Sequence, residues 1–418
     1  MTNTPDNSPT RQALVDTIAG YHDAMLAFTK DLVAIATENP PGLAYRACMD
    51  RIAEELATFG VDATLIEVPP VKCGDDEAAP QPGYCLTSAY GDGTPTLYFH
   101  GHYDVVPAVH HEQFQPYVRD DRLYGRGSSD MKGGIASMVF ALRALKERRV
   151  PLNGRVALML VPDEETGGER GSRNLVEAGI LGRDGIGMLT AEPTEGVIWN
   201  ANRGAISLAI TVRGKPAHVG LHYLGVNAFD QMLRVAQALL ELKRDIETRR
   251  TSYHIEPEAA RHSILMMGGR CEGGSNFNLV PETCTFTVDR RINPEEDLAT
   301  ERQRLLDVFD RLRSEGIDLE VDIFQVAPSA GIDAQHPIAQ ALAHNIAHVT
   351  GQMPSFELCP GLLETRWYAR RGVPAFAYGP GLLSVSHGPD EYIPIASLVQ
   401  AATVYALTAC DVLAETDR

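Results

Sequence analysis

The segment Leu158-Met-Leu-Val-Pro-Asp-Glu-Glu-Thr-Gly-Gly168 runs from an apolar stretch straight into three consecutive acids. An apolar run of this length bounded by glycines reads as a buried strand that ends in a turn. Asp163, Glu164 and Glu165 therefore stand at the mouth of a sheet. Like charges held that close repel, and one of them takes a raised pKa unless a cation compensates. The alternative is a solvated loop. Adjacent glutamates also permit a division of labour, one holding metal and the other moving protons.

Upstream, Thr96-Leu-Tyr-Phe-His-Gly-His-Tyr-Asp-Val-Val-Pro107 is a second apolar strand that turns polar at its C-terminal end, where α/β sheets bind ligands. His102 and Asp104 share one face if the strand persists, and an imidazole steadied by a carboxylate is a common arrangement beside zinc. His100 has the same parity and is a rival ligand. Between these strands, Leu123-Tyr-Gly-Arg-Gly-Ser-Ser-Asp-Met-Lys-Gly-Gly134 sets Asp130 among glycines before an apolar helix. It reads as a helix cap or as a ligand loop, and its spacing does not match a phosphate loop. Downstream, Ile186-Gly-Met-Leu-Thr-Ala-Glu-Pro-Thr194 ends a strand in Glu192, and Ser384-Val-Ser-His-Gly-Pro-Asp-Glu-Tyr-Ile-Pro394 puts His387 in a Gly-Pro turn. Alone, Glu192 and His387 read equally as solvated loop residues.

Around these motifs the chain alternates. Helical apolar spacing covers Arg11 to Ala36 and Tyr45 to Phe59, parted by Glu38-Asn-Pro-Pro-Gly42. Strands at Thr96–His100, Val156–Val161 and Ile186–Thr190 then interleave with helices at Gly133–Glu147 and Ser172–Ala178, the rhythm of a sheet covered by helices. The rhythm changes near Arg203. Strand Ala205–Val212, helix Val226–Leu242, strand Cys284–Arg290 and helix Glu295–Ser314 predict a strand–helix–strand–strand–helix–strand insert of roughly 120 residues, a normal domain size. Helix Pro337–Val349 and strand Pro374–Tyr378 return to the first domain. The expectation is an α/β protein with a discontinuous catalytic domain over 1–203 and 326–418 and an inserted domain over 204–325.

The chain has 418 residues, with 37 Lys+Arg against 55 Asp+Glu and a net charge of −18. No basic stripe is available for nucleic acid or an anionic membrane, so neither partner is expected. The seven cysteines are scattered without a Cys-x-x-Cys pair, as for reduced thiols. Met1 to Gln12 lacks the basic-then-apolar order of a signal peptide, and apolar stretches such as Val156–Pro162 are too short to span a bilayer. A cytoplasmic protein is expected.

Taken in order, His-x-Asp, Gly-Arg-Gly-x-x-Asp-Met-Lys-Gly, Asp-Glu-Glu-x-Gly, Glu-Pro-Thr and a late His before Glu-Tyr-Ile resemble the co-catalytic zinc hydrolases. These include acetylornithine deacetylase, succinyl-diaminopimelate desuccinylase, aminoacylase and glutamate carboxypeptidase, and the likeness runs from Asn39 to Ile395. It implies a zinc exopeptidase-like, mixed-sheet α/β/α domain with an inserted α+β ferredoxin-like domain that serves as lid and dimerisation surface. It further implies two divalent metals bridged by Asp130, one completed by His102 and Glu192 and the other by Glu165 and His387. Asp104 would orient His102, and Glu164 would be the general base. Carboxylates with imidazoles suit zinc, manganese or cobalt.

In the insert, Gly214-Lys-Pro-Ala-His-Val-Gly220 looks like the family's lid motif, so His218 would stabilise the oxyanion across a homodimer. Asn278 and Arg291 resemble groups that hold the substrate and its carboxylate. One departure stands out. Gly361-Leu-Leu-Glu-Thr-Arg366 replaces the Gly-Gly-Thr-Asp-Ala-Arg of many relatives. If Gly361, Leu362 and Leu363 line the substrate, a larger or flatter apolar group is accommodated; loop packing is the other reading. The resemblance implies hydrolysis of a C–N bond in a small carboxylate-bearing substrate, most simply an N-acyl amino acid or dipeptide-like amide, through a metal-activated water. Alternatives are an aminohydrolase acting on an aromatic amine such as an aminobenzoate, and a non-catalytic binding or assembly module.

Overall fold

The computed structural model describes residues 9–69 and 82–414. Cys73 and the start of the polar N-terminal segment lie outside them. The chain divides into two compact units, one taking the chain up to Asn200, Ile332–Glu357 and everything from Leu363 on, the other Ala201–Gly331 and Leu358–Leu362.

In the larger unit the strands lie side by side in the order Ala63–Val68, Gly83–Gly91, Arg155–Val161, Thr96–His102, Gly185–Thr190, Ala375–Ala377 and Ile198–Asn202. The four from Arg155–Val161 to Ala375–Ala377 are parallel, and the flanking pairs are antiparallel. Parallel strands covered on both faces carry continuous apolar runs, and every residue of Thr96–His102 is buried. Alternation sends Leu97 and Phe99 to one face, into a core with helices Gly133–Glu147, Pro337–Thr350 and Ile395–Val412. Tyr98 goes to the other, with Leu175, Trp367 and Tyr368 from helices Ser172–Glu177 and Thr365–Ala369.

The expected α/β/α layering is present, with differences in detail. The helix expected over Arg11 to Ala36 is two helices, Pro9–Ala19 and His22–Ala34, parted at Gly20-Tyr21. Strands Ala63–Val68 and Gly83–Gly91, unanticipated, supply an antiparallel edge that makes the sheet mixed. The 18-residue helix Ile395–Val412 is apolar and long enough to cross a membrane, contrary to the expectation from shorter stretches. Its composition has another cause: Leu398, Ala402, Tyr405 and Ala406 are buried in the core.

The smaller unit is an antiparallel sheet in the order Ile264–Gly273, Thr283–Ile292, Gly204–Arg213 and Leu319–Ala327. Helices Ala228–Ile246 and Leu298–Ser314 share its core. Both helices start on side-chain caps: Asn227 Oδ1 accepts the Phe229 N–H at 2.9 Å and Asp297 Oδ1 that of Thr300 at 2.8 Å. The strand–helix–strand–strand–helix–strand order matches the reading of the insert. The unit is wider than 204–325, and it regains Leu358–Leu362 because Leu358 packs with Ala201 and Ile255.

Candidate metal centre

The candidate site lies where the central strands of the larger unit end. His102 closes its strand, and its Nδ1 lies 3.1 Å from the Asp104 carbonyl oxygen. A carbonyl can only accept, so Nδ1 carries a proton and Nε2 is the nitrogen turned to the site. That Nε2 faces Asp130 Oδ1 at 3.1 Å and Glu192 Oε2 at 3.7 Å. Asp130 sits in the turn Ser128–Lys132 before helix Gly133–Glu147. Gly134 lets that helix approach the end of the strand bearing Glu192, because a Cβ there would collide with the Ala191 carbonyl.

The three acids of the Asp163–Glu165 turn do three different things. Asp163 points inward and accepts the N–H groups of Arg170 and Gly171 at 2.8 and 2.9 Å, buttressing the turn. Glu165 aims at the site, with Oε1 3.3 Å from Nε2 of the half-exposed His387. The Glu164 carboxyl lies in the field of His102, Glu192 and Glu165. Asp104 reaches under both glutamates, accepting the N–H of Glu164 at 3.2 Å and of Glu165 at 3.1 Å. Asn39 supports it from behind, donating to Asp104 Oδ2 at 2.9 Å and to Thr166 Oγ1 at 3.0 Å.

Two donor triads result, His102–Asp130–Glu192 and Asp130–Glu165–His387, each with one ligand atom per residue within 4.8 Å of the others. Asp130 belongs to both. Nε2 of His387 is equidistant, at 3.3 Å, from Asp130 Oδ2 and Glu165 Oε1. Glu192 Oε1 is buried without a hydrogen-bond partner, and Glu165 Oε1 faces the His387 ring. Carboxylate oxygens and imidazole nitrogens converging on common points, one buried oxygen unsatisfied, fit divalent cations.

The electrostatics agree. Burial pushes Glu164 well above the ordinary carboxylate range, and Glu165 to about 7, with the charge of Asp130 adding to the rise. Burial raises Glu192 as well. Asp130 is also buried, yet hydrogen bonds from His102 and His387 hold it well below the usual range. Hydrogen bonds to Asp130 and Glu165 lift His387 to about 10. Protons on these histidines balance the carboxylates, and a dication would displace those protons.

The sequence model of Peptidase family M20/M25/M40 matches residues 98–411, a span that contains every residue of both triads. The chain belongs to this family. As an M20 protein it is a metal-dependent hydrolase acting on C–N amide bonds. It is 28% identical over 369 residues to a succinyl-diaminopimelate desuccinylase of Thioalkalivibrio sulfidiphilus, covering 86% of this chain and 91% of that one. Among solved structures its fold is shared by an M20 metallo-carboxypeptidase of Sulfolobus solfataricus, with TM-score 0.76, 17% identity and coverage of 93% and 99%. A dinuclear metal-binding M20 peptidase of Bacillus subtilis aligns with TM-score 0.68, 16% identity and coverage of 94% and 99%.

Other expected residues of this M20 chain fall elsewhere. His100 is not a ligand: both its nitrogens are engaged, Nδ1 at 3.1 Å from Tyr368 Oη and Nε2 at 3.2 Å from Glu364 Oε2. Glu364 is fully buried, and it also accepts from Ser172 Oγ and, at 3.1 Å, from Trp367 Nε1. Leu363 is buried too, so its side chain packs, whereas Gly361 and Leu362 are half-buried in the segment assigned to the smaller unit. His218 is exposed in the smaller unit, where its Nδ1 accepts the Gly220 N–H at 3.1 Å and leaves the proton on Nε2. Asn278 is half-buried, and Arg291 grips its neighbour Asp289 bidentately at 2.7 and 3.1 Å. Sequence reasoning passed over Asn39, His100 with Glu364, and a buried Arg126–Glu391 pair. Arg126 and Glu391 stand inside the quoted motifs, four residues from Asp130 and His387, but nothing local assigns them a partner.

Proposed function

We propose that this M20 hydrolase removes the acyl group from a small N-acyl amino acid, or splits a dipeptide-like amide, whose free carboxylate orients it. The observation that carries the proposal is the pair of donor triads sharing Asp130, with an unengaged glutamate, Glu164, beside them. When bound, the cations, zinc first and manganese or cobalt as alternatives, supply Lewis acidity toward a carbonyl oxygen and the attacking water. His102, Asp130 and Glu192 would hold one cation, and Asp130, Glu165 and His387 the other. Asp104 fixes the ring of His102. Glu164 accepts the water's proton and returns it to the leaving nitrogen, giving an acid and an amine. A positioned base of this kind contributes ~10²–10⁴-fold.

His218, with its proton on Nε2, is our candidate donor to the developing oxyanion. Arg291, pre-oriented by Asp289, and Asn278 are our candidates for the substrate carboxylate, and a planar guanidinium suits that task. Gly361 and Leu362 are candidates for the acyl or side-chain end. Exposed Tyr223, Leu224, Phe229 and Leu233 support a homodimer through the smaller unit, and the buried free thiols of Cys48 and Cys85 support a cytoplasmic location.

The test is direct. Protein loaded with zinc, manganese or cobalt is incubated with a panel of N-acyl amino acids and dipeptides, and free amine is measured. Release from carboxylate-bearing amides and not from their esterified forms is the expected result; bound metal without turnover of any panel member would reject the proposal.

A further inference from the structure

Two buried residues cross between the ligand loops. Arg126 stands four residues before Asp130, and Glu391 four residues after His387. Arg126 does not serve its own loop: its Nη2 donates to the His387 carbonyl oxygen at 3.1 Å. Glu391 reaches the opposite way, its Oε1 accepting the N–H groups of Ser129 and Asp130 at 3.0 and 3.1 Å. The two meet through Arg126 Nη1 and Glu391 Oε2 at 2.6 Å, both side chains 1% exposed. The Gly125 N–H donates to the Glu391 carbonyl at 3.0 Å and closes the cross.

A buried ion pair alone says little, since its desolvation offsets much of its attraction. Here every remaining contact ends on the backbone of the Asp130 loop or of His387. The two cation sites depend on this unequally. His102 and Glu192 stand at the ends of adjoining buried strands, and Nδ1 of His102 is pinned by the Asp104 carbonyl two residues on. His387 is half exposed, on a loop, with φ +65. A non-glycine residue in that left-handed region persists only where its surroundings over-determine it. The bond from Arg126 to its carbonyl is in position to do so, beside the bond of Gln113 Nε2 to the Gly388 carbonyl at 3.1 Å.

We infer that Arg126 and Glu391 are positioning residues that build the Asp130–Glu165–His387 cation site, while the His102–Asp130–Glu192 site stands largely without them. The inference rests on the metal-centre reading above. Outer partners of metal ligands are typically worth 10–100-fold in metal affinity, and here that loss falls on one site of two.

The experiment measures zinc and cobalt binding to the full chain by equilibrium dialysis and cobalt absorption, beside the thermal midpoint of the metal-free protein. Wild type is expected to bind two cations; fewer would reject the metal-centre reading itself, and with it this inference. Arg126→Met is expected to keep one tight cation and bind the second 10–100-fold more weakly. Glu391→Gln, which retains one acceptor for the backbone, is expected to fall between. If Arg126→Met does not fold, Arg126→Lys decides, because a single ammonium cannot fork to both Glu391 and the His387 carbonyl. Equal weakening of both sites, or two wild-type affinities in a folded Arg126 variant, would overturn the inference while leaving the hydrolase reading intact.

Discussion

The carboxylate of Asp104 accepts the backbone N–H of Glu165 at 3.1 Å, so the residue beside His102 also holds the turn that carries the other site's glutamate. Its partners on the turn and on Asn39 are all donors. Asp104→Asn would bring an NH₂ group against one of them. We expect metal affinity to drop ~10–100-fold, and turnover with it. Equilibrium dialysis with a chelator series measures this; unchanged affinity for both cations would contradict it.

Glu164 separates binding from chemistry. Its carboxyl belongs to neither donor triad, so Glu164→Gln should retain two cations while kcat falls by ~10²–10⁴. Metal analysis beside steady-state kinetics distinguishes the outcomes. A variant that turned over normally would remove Glu164 from the base role.

Without metal, burial raises Asp163 and Glu165 to about 7, and hydrogen bonds raise His387 to about 10. Each folded value exceeds its unfolded one, so each group adds stability below its unfolded pKa that is lost as pH rises through the folded pKa. Metal-free protein should therefore lose stability from pH 5.5 to 8. Lys132, lowered to about 8 by burial, acts with the opposite sign only above that window. Cations bind the deprotonated ligands and reverse the trend. The gap in thermal midpoint between metal-loaded and chelated protein should widen by several degrees across this range; calorimetry showing a constant or narrowing gap would refute it.

Gly168 and Gly179 make a matched pair. Both have positive φ, +65 and +68, but nothing lies within 4 Å of a Cβ on Gly179. On Gly168 it would strike Glu364 Oε1 and come within 2.8 Å of Trp367 Nε1. Gly179→Ala should cost about 1 kcal/mol through backbone conformation alone. Gly168→Ala should cost at least ~1–2 kcal/mol more, by analogy with overpacked cores, and impair turnover by shifting Glu164 and Glu165. Urea denaturation compares them; equal losses would mean that Glu364 and Trp367 yield to a Cβ at Gly168.

The sequence made the site more legible than its supports. Glu165, Glu192 and Asp130 each stand where an apolar run meets a turn, a signal contained in ten residues. His100 has the same parity as His102, and what decides its role is Glu364, 264 positions away. Arg126 and Glu391 were hidden for the same reason. In the fold, strongly apolar central strands announced themselves, whereas Ala63–Val68 and Gly83–Gly91 mix polar and small residues and form an edge that only pairing defines. The helix at 395–412 lacks a polar face because the core surrounds it, so period alone gave no outline.

Asp130's membership of both triads also sets an order in time. His102, Asp130 and Glu192 all lie within the first 192 residues, whereas the other triad is incomplete until residue 387. Chains are made from the N-terminus, at ~5–20 residues per second. The donors for the two cations thus leave the ribosome about 10–40 seconds apart, and the shared aspartate is made with its first histidine long before its second.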